Sequence, residues 1–138
     1  DTWDDPKWQG FVKSYQDAFP PDQRFASPSL LATSYYNATN AALQCLDKTG
    51  GKLEEGQAEF RACLASLELD APNGKITLDD NRQAIGTNFV IEVVETSDGN
   101  LATQMVAKVD NINQRLGMDQ AAFDAMGRPG RDVPTCGG

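Results

Sequence analysis

Apolar residues recur every three to four positions in three stretches of the first half of the chain, which predicts three helices. The first should begin after Asp5, a good N-cap, with Pro6 in its first position. The second runs over about 29–49 and the third over about 54–67. The predicted apolar stripes are Trp8, Phe11, Val12, Tyr15, Ala18 and Phe19 on the first helix; Leu31, Tyr35, Ala38, Ala42, Cys45 and Leu46 on the second; and Phe60, Cys63, Leu64 and Leu67 on the third.

The second half of the chain changes to strand patterns. Residues 75–79 alternate like a short strand, and residues 89–95 are rich in β-branched side chains. Ser-Asp-Gly-Asn at 97–100 predicts a hairpin turn. Residues 101–109 then fit a returning strand, with a helix as the competing interpretation. A short helix over about 118–126 follows.

The order of these elements leaves the helices without an obvious cover. Three helices with broad apolar faces come first, and only a few strands follow them. Such faces are stable mainly through packing, and large exposed apolar patches are rare on monomers. The chain is therefore predicted to be a piece of something larger. The cover would come from a missing N-terminal portion, a second copy that exchanges elements, or a compact repacking.

Charge narrows the possible partners. The 138 residues carry a formal net charge of −8, spread along the chain. Such a surface repels phosphate backbones and anionic lipid, so nucleic acid is not expected as a partner. No apolar run approaches the roughly 20 residues that a spanning helix needs.

Candidate catalytic groups are few. The chain has no histidine, which removes the usual near-neutral acid–base catalyst and most catalytic zinc sites. The carboxylate pairs Asp79-Asp80 and Glu54-Glu55 are expected to be solvated surface, and they leave a small carboxylate-dependent hydrolase as a less favoured alternative. Residues 110–113 lack the glycine and the distal glutamate of a calcium loop. No catalytic residue, metal site or cofactor is predicted.

The cysteines are more informative. Cys45 and Cys63 are predicted to face inward on adjacent antiparallel helices, so we predict a disulfide between them. Spacing alone leaves two reduced core thiols equally open. Cys136 then has no partner within the chain, which in a secreted protein indicates a partner elsewhere or a free thiol.

Five spaced segments form an ordered series. They are Phe11-Val12-Lys13-Ser14-Tyr15 preceded by Pro6; Tyr35-Tyr36-Asn37-Ala38 followed by Ala41 and Ala42; Gly74-Lys75-Ile76-Thr77-Leu78-Asp79; Phe89–Val94; and the ending Phe123–Cys136. Their order and spacing resemble the type I periplasmic binding proteins, specifically the branched-chain amino acid (Leu/Ile/Val) binding family of ABC transporters. The segments resemble the C-terminal portion of those proteins.

The resemblance implies an α/β fold with two lobes joined by three crossovers, of which this chain supplies part. Residues 1–88 would form the last part of the first lobe, and residues 89–138 would return into the second lobe and end in the C-terminal tail. Thr33, Ser34 and Tyr35 would lie near the ligand cleft, where helix N–H groups and hydroxyls suit an anion. Packing in the core is the alternative for Tyr35.

The resemblance also implies a function without a catalytic step. The intact protein would be the solute-binding subunit of an ABC importer, with lobes that close on an amino acid or a related aromatic or aliphatic carboxylate. It would be periplasmic or secreted, and its partner would be an ABC permease in the membrane. A ligand-sensing regulator or receptor module of the same fold is the alternative.

Overall fold

The computed structural model describes residues 3–127 and 130. Within them three helices come first, strands follow, and a short helix comes last, as predicted. The helices are α1 (Pro6–Ala18), α2 (Leu30–Lys48), α3 (Ala58–Ser66) and α4 (Gln120–Ala125), and the strands are β1 (Leu69–Ala71), β2 (Gly74–Leu78), β3 (Ala84–Glu95) and β4 (Leu101–Ile112), with single 3₁₀ turns at Pro21–Gln23 and Glu55–Gln57. Cys136 lies outside the described residues.

The ends of α1 and α2 follow from local chemistry. The Asp5 carboxylate accepts hydrogen bonds from two N–H groups in the first turn of α1, and Pro6 occupies the first helical position as predicted. The Ser29 hydroxyl caps α2 in the same way. After α2 the backbone turns left-handed at Gly50 and Gly51, with φ of +59° and +75°. Glycine adopts this conformation without steric penalty, so the pair ends the helix.

The third helix starts later than the apolar pattern predicts. Its first residue is Ala58 and not a residue near 54. Glu55, Gly56 and Gln57 all have positive φ, at 52°, 66° and 64°. Three left-handed residues in succession cannot continue an α-helix, so they form a separate 3₁₀ turn.

The four strands of the described chain form one antiparallel meander in the order β1-β2-β3-β4. The short strand β1 was not predicted, because three residues carry no readable periodicity. Residues 101–112 pair with β3 along their length, so the helical alternative for this stretch is wrong. The strand β3 runs without interruption across the proposed boundary between 88 and 89. The division into lobes stays a prediction.

The core lies where α2 and α3 pack on β1. Cys45, Leu67, Leu69 and Ala71 are buried, and Cys45 is fully inaccessible. Partly buried apolar residues from α2, α3 and β2 surround them. Cys45 and Cys63 are joined in a disulfide that links α2 to α3 within this core.

A chain of aromatic contacts attaches α1 to the rest of the fold. The ring centroids of Trp3 and Phe89 lie 5.0 Å apart, which connects the start of the described chain to β3. Trp3 also contacts Trp8 at 6.3 Å. Phe11 contacts Trp8 at 5.8 Å and Tyr36 of α2 at 4.6 Å. Through these rings α1 contacts both the hairpin and α2.

Only the second half of the apolar stripe predicted on α2 turns inward: Cys45 is fully buried, and Ala42 and Leu46 are partly buried. Leu31 and Tyr35 are 68% and 74% exposed. The residues that α2 buries are Thr33, Asn37 and Cys45, spaced by four and eight positions along one side of the helix. Because α3 and β1 pack on the C-terminal half of α2, the first half of the stripe (Leu31, Tyr35 and Ala38) is left open within the described residues.

We predict that the disulfide accounts for a measurable share of stability in the intact protein. Replacing Cys63 by Ser should lower the free energy of unfolding by about 3 kcal/mol, because the bridge closes a loop of 18 residues in the unfolded chain. Urea denaturation with and without reductant measures this. The Cys63→Ser variant should be insensitive to reductant, and equal curves for the oxidised and reduced wild type would contradict the prediction.

Candidate functional site

An apolar cavity of about 470 Å³ lies between the start of α2, the start of α1 and the hairpin β3–β4. We call it the aromatic cavity, because the rings of Trp3, Trp8, Phe25 and Phe89 line it together with aliphatic side chains. None of its lining residues carries a formal charge. Its volume lies within the range of roughly 300–1,000 Å³ that is typical of small-molecule sites.

The first turn of α2 forms the polar side of the aromatic cavity. Ser29 and Thr33 both line it. The Ser29 Oγ atom accepts from the backbone N–H of Ala32 at 3.1 Å, and the Thr33 hydroxyl donates to the Ser29 carbonyl at 3.0 Å. The N-terminus of this 19-residue helix carries a partial positive charge. The cavity therefore offers an anion a favourable field at one end.

The three residues predicted to bind ligand are not brought together by the structure. Thr33 is buried, with 6% of its surface exposed, and lines the aromatic cavity. The Ser34 hydroxyl is exposed and donates to the Leu30 carbonyl at 2.9 Å. Tyr35 is exposed and does not line the aromatic cavity. Its role stays a prediction.

The aromatic lining was missed by sequence reasoning. Trp8 was assigned to the stripe of the first helix and Phe89 to a strand, with no functional role for either. Their convergence depends on how the hairpin folds back toward α1, and helical or strand periodicity does not encode that. The one available signal was the density of rings near the start of α1, where Trp3 and Trp8 are five positions apart.

Two buried polar atoms near this region have no hydrogen-bond partner among the described residues: Trp8 Nε1 and Asn37 Oδ1. Trp8 lines the aromatic cavity. Asn37 donates through Nδ2 to Asn73 Oδ1 at 2.9 Å. Both atoms have almost no accessible surface, so neither is within reach of a molecule in the cavity in this conformation.

A second cavity, of about 590 Å³, lies beside the first and is polar. We call it the lysine cavity, since Lys7, Lys75 and Lys108 line it. Each lysine is paired: Lys7 with Asp70, Lys75 with Glu68 at 2.7 Å, and Lys108 with Asp110 at 3.5 Å. The cavity therefore has little uncompensated positive charge for a ligand.

The Lys75–Glu68 pair affects titration more than stability. The hydrogen bond from Lys75, and then its positive charge, hold the pKa of Glu68 below its ordinary value. The same bond raises the pKa of Lys75. Both side chains are well exposed, at 63% and 66%, so solvent screens the pair. A lowered carboxyl pKa favours the fold above the ordinary glutamate pKa, and this small contribution is lost as the pH falls below it.

The remaining carboxylates that could support catalysis have structural roles or lie in solvent. Asp79 accepts hydrogen bonds from the backbone N–H groups of Asn81 and Gln83, both at 2.9 Å, and so holds the turn between β2 and β3. Its neighbour Asp80 is exposed. Over residues 3–127 and 130, no group of three or more His, Cys, Asp or Glu side chains is arranged so that it could hold a metal ion. In the same residues no helix is long and apolar enough to span a bilayer.

Comparison with known proteins gives two informative similarities among solved structures. An ABC transporter substrate-binding protein from Sphaerobacter thermophilus is similar with a TM-score of 0.68 and 21% identity, over 79% of this chain and 28% of that one. A solute binding protein of an ABC transporter from Rhodopseudomonas palustris BisB5, in complex with 3,4-dihydroxybenzoic acid, is similar with a TM-score of 0.63 and 26% identity, over 75% and 27%. No protein-family model matches the chain, and no curated protein does.

These similarities identify the class of fold. The chain has a part of the mixed α/β fold of ABC transporter solute-binding proteins, as the sequence predicts. It spans a little over a quarter of the length of the two proteins that it matches.

We predict that Gly74, which lines the lysine cavity, cannot be replaced without cost. Its φ is +111°, and a Cβ there would lie 2.8 Å from Thr87 Oγ1, which donates to Asp110 at 2.8 Å. Gly74→Ala should lower the free energy of unfolding by about 1–3 kcal/mol through backbone strain and the lost hydrogen bond.

The matched control for that prediction is Gly86→Ala. An added Cβ at Gly86 meets only Ile76 Cγ1, at 3.7 Å, and no positive φ is involved. Chemical denaturation should show this variant within ~1 kcal/mol of the wild type. Equal losses for the two variants would contradict the account of Gly74.

Proposed function

We propose that this chain is part of the solute-binding subunit of an ABC importer, which captures an amino acid or a related small carboxylate when its two lobes close. The observation that carries the proposal is the similarity in fold to two ABC transporter binding proteins. Closure would be driven by ligand contacts to both lobes, and no chemical step is needed. An ABC permease in the membrane is the proposed partner.

A carboxylate fits the start of α2. The neighbour from Rhodopseudomonas palustris holds an aromatic acid, which supports an acid as ligand here. The N-terminal field of α2, with hydroxyls beside it, would stabilise such an anion. We therefore propose that Thr33, Ser34 and Tyr35 contact the ligand in the closed intact protein, with Thr33 at the cavity and the other two on the exposed side.

The disulfide supports a location in the periplasm or outside the cell. Disulfides persist in oxidising compartments and are rare in the bacterial cytosol. The Cys45–Cys63 bridge thus favours an exported binding protein over a cytosolic regulator of the same fold.

The open apolar face of α2 supports the view that further polypeptide packs here. Leu31 and Tyr35 are largely exposed, and Ala38 extends the same stripe. The chain spans 28% and 27% of the two similar proteins. We propose that the rest of the first lobe covers Leu31 and Ala38 and leaves Tyr35 at the edge of this contact, beside the cleft. Residues 1–88 would then belong to that lobe and residues 89–138 would return to the second.

We predict that Tyr35→Ala in the intact protein weakens ligand binding about tenfold or more, because Tyr35 stands at the proposed cleft. Its side chain packs on none of the core residues of the described chain and would stand beside the cleft in the intact protein, so the melting temperature should change little. Isothermal titration calorimetry with a ligand found by thermal-shift screening of acids and amino acids measures the affinity.

Leu43→Ala is the matched control. Leu43 lies on the same helix, is 60% exposed, and is two turns farther from the proposed cleft. Its replacement should leave affinity unchanged. A large fall in melting temperature with unaltered affinity for Tyr35→Ala would instead assign Tyr35 to a packing contact with the rest of the lobe.

The open face also predicts the behaviour of the 138-residue chain alone. Without a cover it should self-associate, because contiguous apolar surface is seldom left exposed on a soluble monomer. Size-exclusion chromatography with light scattering reports this. Changing Leu31 and Tyr35 to Ser together should shift the chain toward monomer. A wild-type monomer with a cooperative melt would contradict the prediction.

A further inference from the structure

The β3–β4 hairpin leaves the rest of the fold through a narrow base. Strand β2 pairs with β3 only at Ala84 and Ile85, and beyond Ile85 the strand β3 pairs only with β4 in the described residues. The four-stranded sheet therefore becomes two-stranded at this point. We call segments 86–88 and 109–112 the neck, and the part of the hairpin beyond them the ribbon.

The neck contains a β-bulge on one strand only. Gly86 pairs with Ile112. The next pair is Asn88 with Val109, so β4 has one residue more than β3 between the two pairs. The extra residue is accommodated at Asn111, whose φ is +57°. Asparagine reaches this left-handed conformation more readily than most residues, and a bulge bends the strand that carries it. Strand β4 is thus bent at the neck, whereas β3 passes through it without an extra residue.

We infer that this bulge is a hinge about which the ribbon turns relative to the helices and the sheet, with Asn111 as its bending residue and a hydrogen bond between Thr87 and Asp110 as its lock. The inference rests on the proposed function for its purpose, because a solute-binding protein needs two lobes that move relative to each other. It names the residues that allow this movement in the present chain.

The lock is a contact between the two strands of the neck. The Thr87 hydroxyl on β3 donates to Asp110 Oδ1 on the bulged strand at 2.8 Å. Gly74 of β2 makes room for this hydroxyl, because a Cβ at Gly74 would lie 2.8 Å from Thr87 Oγ1. Asp110 is exposed, so water can take the place of Thr87 as its partner. Such a bond is broken and remade at low cost.

The ring contact beside the neck tolerates a change of angle. The centroids of Phe89 and Trp3 lie 5.0 Å apart. Phe89 is ~7 Å along the strand from Thr87, so a tilt of about 10° about Thr87 moves it by only ~1 Å. Aromatic pairs stay favourable over centroid distances of about 4.5–7 Å. The contact therefore persists while the ribbon turns, and it keeps the pivot close to Trp3.

Both faces of the ribbon are open in the described residues. Val90 and Ile91 point to opposite faces, as neighbouring strand residues do, and they are 55% and 57% exposed. A two-stranded ribbon alone is marginally stable at best. A strand that is covered on both faces has a nearly continuous apolar run, and residues 89–94 form one. The rest of the second lobe would therefore pack on both faces, and a body attached in this way turns with the ribbon.

The experiment measures the position of the ribbon in the full-length protein without ligand. Spin labels are placed at Ser97, in the exposed turn at the far end of the ribbon, and at Lys48, at the exposed end of α2. Unnatural amino acids with a ketone carry the labels, so the cysteines stay untouched. Double electron–electron resonance then gives the distribution of distances. Ser97 is roughly 33 Å along the strand from Thr87, so a tilt of about 10° shifts it by up to ~6 Å.

Two asparagines of the neck form a matched pair of variants. Asn111→Gly should widen the distribution, because glycine adopts left-handed and extended backbone equally well. Asn111→Ala should shift the mean distance by about 5 Å or more, because alanine disfavours the positive φ of the bulge. Asn88→Ala, on the strand without the bulge, should match the wild type. If Asn111→Ala does not fold, Asn111→Gly decides, and a distribution as narrow as that of the wild type overturns the hinge.

A second pair of variants tests the lock. Thr87→Val removes the hydroxyl and keeps the branched shape of the side chain, so it should widen the distribution. Thr87→Ser restores a hydroxyl and should return the width toward the wild-type value. An unchanged width in Thr87→Val would show that the bond to Asp110 does not hold the neck.

These outcomes do not depend on ligand binding. One narrow distribution in the wild type and in every variant overturns the inference, even if calorimetry finds a tightly bound acid or amino acid, and the proposed function then stands. If the distances change as expected but no small acid or amino acid binds, the proposed function fails and the hinge stands.

Discussion

The packing of α2 against α3 and β1 is the constraint on which the rest of the described structure depends. Cys45 lies at the centre of this contact with no accessible surface, and its bond to Cys63 fixes the two helices relative to each other. Because α2 must turn Cys45 inward, its rotation about its own axis is set. That rotation places Thr33 at the aromatic cavity and leaves Leu31 and Tyr35 open. One core contact thus decides which residues of α2 line the aromatic cavity and which remain open in the described residues.

Sequence reasoning recovered the elements that have strong local signals. Asp5 and Pro6 marked the start of α1, Gly50 and Gly51 marked the end of α2, and the β-branched run from Phe89 predicted a strand, because each of these depends on the chemistry of a few adjacent residues. The late start of α3 was missed, since left-handed geometry at non-glycine residues is not readable from an apolar period. The strand β1 was missed because three residues are too few to show an alternation of apolar and polar side chains.

The candidate site was harder to predict than the fold. The buried face of α2 contains Thr33 and Asn37, two polar residues that a hydrophobic pattern assigns to solvent. The apolar stripe therefore predicted the buried side correctly at Cys45 but not in the first half of the helix, where Thr33 and Asn37 are buried instead of Leu31 and Tyr35. The choice of Ser34 and Tyr35 depended on resemblance alone. The aromatic cavity is assembled from α1, α2, β3 and β4. No local sequence pattern predicts that residues so far apart in the chain will meet.

The contact between Asn37 and Asn73 ties α2 to a turn that borders both cavities. Asn73, in the turn between β1 and β2, lines both the aromatic cavity and the lysine cavity, and it accepts a hydrogen bond from a residue buried in the middle of α2. Any change of side chain at Asn73 therefore alters the lining of both cavities at once and leaves the buried Asn37 amide without its partner. The turn between β1 and β2 is thus a wall that the two cavities share.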